Sequence, residues 1–378
     1  MATTKKDPVL VILQLTGAND YLNTIVPYNN PHYRDARPRM NIPEDQVLPI
    51  DGELGFNPNM APLKKIYDEG KMAIIHGIGF DNSPRSHFRA MDIWHTCEPE
   101  IVGTEGWVGK VARDLDPAGE NPLKVVNFGQ GLPRALALRG VPVTSVSNLE
   151  SYGVMSGVPG VSAESERNQL LERFARMYAP AVGTGAVMDY LGQTGRDALK
   201  GADILKEAPE KYHSTVEYAE TPIAKYLRDV ARVYLADLGT QVFYTSHGPF
   251  DTHFNQMPMH SRLWTEMSSA ITDFFDDLKE HDAGDNLIMM LFTEFGRRVK
   301  DNGTGTDHGA AGGAFVIGNQ VKGGMYSTYP SVAPQDLQQG DLAPNYDFRG
   351  FYSTAIDKWL GLDPVPIVGG KFEQLDFI

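Results

Sequence analysis

Residues 9–20 read VLVILQLTGAND, and this stretch decides the fold. Its first part, Val9–Leu15, is a short apolar run that contains β-branched residues. Such a run is typical of a strand buried on both faces, as strands are in a parallel sheet covered by helices. A turn ending in Asn19 and Asp20 follows directly. Because ligands of open α/β sheets bind beyond the carboxyl ends of the strands, the residues after each such run are candidates for a functional site.

Similar runs recur along the chain and alternate with helical patterns. Ile223, Leu227 and Tyr234 have helical spacing behind a Thr221 cap and Pro222. This alternation predicts an α/β fold, a mostly parallel sheet sandwiched by helices. The other predicted strands are Met72–Ile75, Leu123–Phe128, Val242–Thr245, Leu287–Thr293 and Ala314–Ile317, and further helices are predicted from the stripe Leu263–Leu278 and after Asp347.

The domain organisation is predicted to be simple. No internal repeat, low-complexity tract or interdomain linker is evident, so residues 1–378 are expected to form a single domain. Two Pro/Gly-rich stretches, Pro27–Asp51 and Gln320–Pro344, are interpreted as long loops at the ends of the sheet. Long loops in a compact domain often carry function.

Composition restricts the function classes. The chain has 42% hydrophobic and 22% charged residues, as a globular protein does, and a formal net charge of −14. This charge disfavours nucleic-acid binding but permits a small anionic substrate beside a metal ion. The single cysteine, Cys97, excludes an intrachain disulfide and a Cys-rich zinc site.

No apolar run reaches the length of a membrane span, and the start of the chain is interpreted as a strand rather than a signal peptide. The expected location is therefore cytoplasmic, with export as the alternative if a signal was removed. A homo-oligomer is compatible with the sequence.

Acids and histidines follow four of the predicted strands. Each alone has an ordinary explanation, such as a turn acid for Asp20, a helix cap for Ser86 or a surface ion pair for Arg297. Their recurrence favours a metal site of carboxylates and imidazoles, which suits Zn, Mn or Fe, or Mg if carboxylates dominate. The candidates are Asp20 after the first strand, Ser86 and His87 after the second, Asp251 and His253 after Val242–Thr245, Glu294 and Arg297 after Leu287–Thr293, and then Asp307 and His308.

The ordered motifs of the chain are specific to one family. They are Gly-x-Asn-Asp, Ser-His-Phe-x-x-x-Asp-x-Trp, Phe-Asp-Thr-His, Glu-Phe-Gly-Arg and Gly-Thr-Asp-His-Gly. From about Val9 to Leu362 the chain resembles a bacterial sulfatase-like family, usually described only as a domain of unknown function, many members of which are exported by the twin-arginine route. The resemblance implies the fold of the alkaline phosphatase and sulfatase superfamily.

The resemblance also implies roles for individual residues. Asp20 matches a metal-binding acid, and Ser86 matches the nucleophile at a helix start, where free amides and the helix dipole favour an anionic group. His87 is expected to act as a ligand or a base. Arg297 is expected to clamp the substrate anion, since guanidinium suits phosphoryl and sulfuryl oxygens.

The leading hypothesis is a metal-dependent hydrolase that cleaves a phosphate or sulfate ester through Ser86 and one or two divalent ions. The first alternative is a hydrolase that uses a metal-bound water on a different bond, and the second is a non-catalytic binding protein that retains the fold. For two ions, Asp20 and Glu294 are expected to bind one, and Asp251, His253 and His308 the other. Asp307 is expected to be a ligand or an acceptor that orients a histidine.

Overall fold

A nine-stranded sheet organises the chain in the computed structural model, which describes residues 6–150 and 212–378 and scattered positions from 152 to 209. The strands of this sheet are β1 (Val9–Leu15), β5 (Met72–Gly79), β6 (Val125–Phe128), β7 (Thr144–Val146), β8 (Val242–His247), β9 (Leu287–Thr293), β10 (Gly312–Ile317), β11 (Gly324–Tyr326) and β12 (Tyr346–Asp347). They are arranged in the order β11-β5-β10-β9-β1-β8-β6-β7, with β12 beside β5. Three short strands, β2 (Ile25–Val26), β3 (Leu48–Pro49) and β4 (Gly55–Phe56), form a small second sheet.

All the strands of the main sheet are parallel except β10. Strand β1 pairs in parallel with both β8 and β9, whereas β10 is antiparallel to β9 and β5. The carboxyl ends of β1, β5, β8 and β9 therefore meet at one edge, together with the start of β10. The predicted mostly parallel sheet is confirmed.

Helices cover both faces of this sheet, which explains why the sequence of β1 is almost entirely apolar. Val9, Val11 and Leu13 pack into the core on one face, while Leu10 and Ile12 pack into the core on the other. Successive side chains of a strand point to opposite faces, so burial on both faces favours apolar residues throughout. The exception is Gln14, which is buried and whose amide oxygen lies 2.8 Å from His95 Nε2. The sandwich of helices around the sheet is confirmed.

The helices of the described residues are divided between the two faces of the sheet. They are α1 (Pro31–Ala36), α2 (Ala61–Asp68), α3 (His87–Thr96), α4 (Trp107–Leu115), α5 (Pro222–Leu235), α6 (Gln256–Glu280), α7 (Phe348–Thr354), which continues into a π-helical segment Ala355–Trp359, and α8 (Val365–Val368). One face carries α2, α5 and α6, and the other carries α3, α4, α7 and α8. Thr221 caps α5 and Asp347 caps α7, as the sequence predicts. No helix among the described residues is long and apolar enough to cross a membrane.

Candidate metal centre

Loops from several strands converge at the carboxyl edge of the sheet. The loop after β8 carries Asp251 and His253, and the segment between β9 and β10 carries His308. The loop after β5 leads to His87, the first residue of α3. Gly17, in the loop after β1, lies so close to the Asp251 backbone that an added Cβ would be 2.6 Å from its nitrogen. The fold thus brings residues far apart in sequence to one place.

Four side chains from these loops form a cluster, which we call the His₃Asp cluster: His87, Asp251, His253 and His308. The Nε2 atom of His308 lies 2.9 Å from the Nε2 atoms of both His87 and His253. The Oδ1 atom of Asp251 lies 3.4, 3.0 and 3.2 Å from the Nε2 atoms of His87, His253 and His308, respectively. The ligand atoms of His87, Asp251 and His308 all lie within 4.8 Å of one another, as a shared metal ion requires, and His253 joins them through its contacts with His308 and Asp251.

The hydrogen bonds on the far side of each ring decide which nitrogen carries the proton. The Nδ1 atoms of His87 and His253 face carboxylate oxygens of Glu294 and Asp307, at 2.8 and 3.1 Å. The Nδ1 atom of His308 faces the backbone carbonyl of Arg85 at 2.7 Å. These oxygens accept hydrogen bonds, so each Nδ1 donates, and each neutral ring keeps its lone pair on Nε2.

Three Nε2 lone pairs and a carboxylate oxygen therefore point at one another. When the rings are neutral, no proton lies between these nitrogens and Asp251 Oδ1, so the cluster is a set of electron-pair donors, with the Arg297 guanidinium donating to Asp251 from behind. A divalent cation is the acceptor that fits such a set, and histidine ligands of metals do donate their second nitrogen to a carboxylate or a carbonyl. The His₃Asp cluster fits a metal ion.

Glu294 and Asp307 lie outside this donor set. Glu294 is buried and accepts on Oε1 from His87 and from the Gly17 amide at 2.9 Å, and on Oε2 from the Thr293 hydroxyl at 2.8 Å. Its hydrogen bond raises the pKa of His87 above the usual value. Glu294 was expected to be a ligand; here both of its oxygens are engaged and it orients His87. Asp307 orients His253 in the same way.

Asp20 also lies outside the cluster, in contrast to the expectation that it binds a metal. It is buried, and both of its oxygens accept from the Arg37 guanidinium, at 2.5 and 2.9 Å. Gln256 donates to the same carboxylate. Burial alone would raise the pKa of Asp20, but Arg37 outweighs it and the pKa is lowered. An acid already saturated with donors has no oxygen free for a cation.

Arg297 lies behind Asp251 rather than on the open side of the cluster. Its two terminal nitrogens donate to Asp251 Oδ1 at 3.0 and 3.1 Å, and its side chain is fully buried. Burial lowers the pKa of Arg297, and the charge of Asp251 opposes this effect. The guanidinium expected to clamp substrate instead holds the carboxylate of the cluster.

Ser86 lies beside the cluster, at the start of α3. It is the N-cap residue and is exposed, but its hydroxyl makes no capping hydrogen bond. The first bonded amide of the helix is that of Ala90, which donates to the Ser86 carbonyl at 2.9 Å. Within the described residues, the amides of His87, Phe88 and Arg89 have no acceptor, so they remain available to an anion.

An open cleft of about 590 Å³ begins at the cluster. His87, Asp251 and Glu294 lie at one end of it, and Arg134 lies along its wall. Sequence reasoning found every member of the His₃Asp cluster, although it left His87 between ligand and base. It missed Arg37, which does not follow a predicted strand, and Arg134, which follows the predicted strand Leu123–Phe128 by six residues but belongs to no recognisable motif.

Comparison with known families supports the resemblance seen in the sequence. Residues 178–367, half of the chain, match the family model described as "Protein of unknown function (DUF1501)". The chain belongs to this family. The match to the DUF1501 family includes Asp251, His253 and His308, while His87 precedes it. No curated protein matches the chain.

Solved structures resemble this DUF1501 chain at the level of the fold. The C-terminal periplasmic domain of EcEptC from Escherichia coli, in complex with Zn, covers 94% of this chain and 83% of its own, with 8% identity and a TM-score of 0.40. The PsFucS1 sulfatase from Pseudoalteromonas sp. covers 98% and 71%, with 10% identity and a TM-score of 0.42. The phosphonate monoester hydrolase of Agrobacterium radiobacter covers 98% and 79%, with the same identity and TM-score.

Proposed function

We propose that this protein is a metal-dependent hydrolase of phosphate or sulfate esters, with the His₃Asp cluster as its metal site and Ser86 as its nucleophile. The observation that carries the proposal is that the Nε2 atoms of three histidines lie within 3.4 Å of Asp251 Oδ1, while each Nδ1 atom faces an outer hydrogen-bond acceptor. Such orientation by outer partners is a regular feature of metal-binding histidines.

The donor set favours particular metals. Three imidazoles and one carboxylate suit Zn, Fe or Mn better than Mg, which prefers oxygen ligands. A bound divalent ion would supply Lewis acidity, lowering the pKa of a nearby hydroxyl and offsetting negative charge on the ester oxygens. His253 is the most exposed ligand, at 41% of its side chain, so the open side of the site lies next to it. We propose one metal ion at this cluster, within the range of one or two considered from the sequence.

The residues around the cluster can carry out ester transfer in two steps. The Ser86 Oγ attacks phosphorus or sulfur, the bond to the alcohol oxygen breaks, and the hydroxyl proton passes through water to that oxygen, so the alcohol leaves neutral. The amides at the start of α3 stabilise the oxygens of the transferred group. Water then cleaves the ester on Ser86 and restores the hydroxyl. Arg297 and Glu294 hold Asp251 and His87 in place throughout.

A second candidate is direct attack by water, with Ser86 as a bystander. It is favoured by one observation: no hydrogen bond within the described residues ties the Ser86 hydroxyl to the cluster. The third reading, a binding protein without turnover, predicts that protein purified without chelator holds no metal. These alternatives differ in what they predict for a Ser86 variant.

The test combines metal analysis with Ser86→Ala. Protein never exposed to chelator should contain one divalent ion per chain by mass spectrometry and hydrolyse members of a phosphate- and sulfate-ester panel. Ser86→Ala should lower kcat by at least about a thousandfold. Its metal content should not change, and its free energy of unfolding should fall by about 1 kcal/mol or less, because the hydroxyl makes no capping bond.

Ser83→Ala is the matched control for this experiment, because Ser83 lies in the same loop and its buried hydroxyl makes no hydrogen bond within the described residues. It should leave kcat unchanged. If Ser86→Ala keeps a near wild-type rate that still depends on metal, water is the nucleophile. If the protein holds no metal and cleaves no ester, the proposed function is wrong.

A further inference from the structure

The cleft extends from the metal centre along one face of α3. His87, Met91 and His95 line it and are spaced four residues apart, so they lie on the same side of the helix. With a rise of 1.5 Å per residue, His95 lies about 12 Å along the axis from His87. A ligand held at the cluster can therefore extend well beyond it.

The wall near the cluster is apolar. Phe88 directly follows the ligand His87, lines the cleft, and is 92% exposed. Met91 and Pro249 line the cleft beside it. An aromatic side chain as exposed as Phe88 gains stabilisation when an apolar group covers it. This part of the cleft suits the hydrocarbon portion of a ligand.

A guanidinium lies further along the cleft. Arg134 is 48% exposed and lines the cleft, while Asp92 next to it is nearly buried. Asp92 accepts from Arg134 on Oδ1 and from Arg89 on Oδ2. One carboxylate between two guanidiniums leaves one positive charge uncompensated, in a chain whose net charge is −14.

The two arginines beside Asp92 differ in how many of their guanidinium nitrogens have a hydrogen-bond partner among the described residues. Arg89 also donates to the carbonyls of Glu98 and Pro99, at 3.2 and 2.6 Å, and does not line the cleft. Arg134 uses only Nη1, for Asp92 and for the Gly103 carbonyl at 3.2 Å. Within the described residues, Arg134 Nη2 and Nε have no partner, so they can donate to a ligand in the cleft.

We propose that the substrate is an ester whose apolar leaving group carries a second anionic group, such as a carboxylate, and that Arg134 binds this group. The proposal rests on the proposed function, since it places the reacting ester at the His₃Asp cluster. Phe88 and Met91 would contact the hydrocarbon portion between the two charged ends. Arg134 then selects among esters by the far end of the leaving group.

The experiment uses three non-hydrolysable ligands and the metal-loaded protein. Calorimetric titration compares phenylphosphonate, 4-carboxyphenylphosphonate and the neutral 4-carbamoylphenylphosphonate, which matches the carboxylate in size; the three corresponding arylsulfonates test the sulfuryl case. We expect the carboxylate to bind about five- to tenfold more tightly than the amide. This affinity difference lies between the small effect of an exposed ion pair and the larger effect of a buried hydrogen bond to a charged group.

Variants at the two arginines separate recognition from structure. Arg134→Gln should reduce the preference for the carboxylate to less than about twofold, and Arg134→Lys should keep part of it because it keeps the charge. Arg89→Gln, which removes the other partner of Asp92, should weaken the preference much less than Arg134→Gln does, because Arg134 Nη2 and Nε can still donate to the ligand.

The inference is wrong if wild-type protein binds carboxylate and amide equally, if Arg134→Gln keeps the preference, or if Arg89→Gln removes it to the same extent. If none of the phosphonates or sulfonates binds, the proposed function fails and the inference fails with it. If all three bind alike, only the inference fails.

Discussion

Asp20 and Asp251 follow neighbouring parallel strands, β1 and β8, yet their surroundings are opposite. Asp20 is 1% exposed, and donors from Arg37 and Gln256 saturate its oxygens. Asp251 is 38% exposed, with Arg297 behind it and three imidazole lone pairs in front. Asp20 is a structural ion pair because donors occupy both of its oxygens, whereas Asp251 accepts from Arg297 through Oδ1 alone and faces imidazole nitrogens on its other side.

The comparison extends to histidines. His260, next to Asp20, is buried and its pKa is lowered to about 4, with desolvation as the main cause. It packs beside Asn19 and Trp264 within hydrogen-bond distance. The rings of the His₃Asp cluster instead lie against one another, with the ring centroids of His87 and His253 at 4.2 and 4.7 Å from that of His308. Burial and partner chemistry together, rather than residue type, separate the structural polar network from the candidate metal centre.

The largest expected effect comes from breaking the buried pair. Arg37→Met should lower the free energy of unfolding by about 3–5 kcal/mol, because it leaves the Asp20 carboxylate buried without its counter-charge. Metal content should remain that of the wild type, measured beside urea unfolding. Adding Asp20→Asn to the Arg37→Met variant should restore part of the loss, since the uncompensated charge is then removed. A variant that kept its stability but lost its metal would reverse the assignment of the two acids.

Much of the fold can be predicted from the sequence, because buried strands and helix starts have recognisable local patterns of residue types. Val9–Leu15 is apolar at every position that contacts a core, and Thr221 and Asp347 mark helix starts by the chemistry of their side chains. Whether a strand runs parallel or antiparallel to its neighbours has no such local pattern. The run Ala314–Ile317 was predicted correctly as a strand, but nothing in it shows that β10 runs against its neighbours.

Part of the candidate site was predictable: the sequence grouped Asp251, His253 and His308, but it also included Asp20 and Glu294, which lie outside the cluster. That Asp251, His253 and His308 lie together follows from strand ends meeting at one edge of a parallel sheet. The saturation of Asp20 could not be predicted, because Arg37 lies in a loop 17 residues away whose path is set by tertiary packing. The same holds for Glu294, whose distance from the cluster depends on how the β9 end meets α3.

The second expected effect concerns the cluster itself. His308→Ala should weaken metal binding by more than about a hundredfold, since loss of an outer partner alone costs 10- to 100-fold. The unfolding free energy of the metal-free protein should change by about 1 kcal/mol or less, because His308 is partly exposed and faces other acceptors. Metal titration followed by calorimetry measures both quantities. His281→Ala, at another partly exposed histidine, is the control and should leave affinity intact; unchanged affinity in His308→Ala would remove His308 from the metal site.

A smaller effect tests whether Glu294 orients a ligand or is one. Glu294→Ala should weaken metal binding by about 10- to 100-fold, because the His87 ring loses the acceptor for its Nδ1 proton. Glu294→Gln keeps a carbonyl oxygen for that proton and for the Gly17 amide, so it should lose about tenfold or less. Equal and complete loss of metal in both variants would return Glu294 to the role of ligand that the sequence suggested.

The smallest expected effect is on the pH dependence of the free energy of unfolding, through His260 in the buried polar network around Asp20. Burial keeps the folded-state pKa of His260 at about 4, while the unfolded chain has the ordinary value of about 6.5. Between these pH values the unfolded state binds more protons, so the free energy of unfolding must fall as pH falls from about 6.5 towards 4. One such histidine contributes a slope of up to about 1.4 kcal/mol per pH unit.

His260→Gln should therefore make the pH dependence shallower by up to that amount, measured by urea unfolding at several pH values. His32→Gln, at an exposed position of α1, should leave the slope unchanged. An unaltered slope in His260→Gln would mean that this ring does not stay neutral in the folded protein, and the contrast with the cluster histidines would then rest on geometry alone.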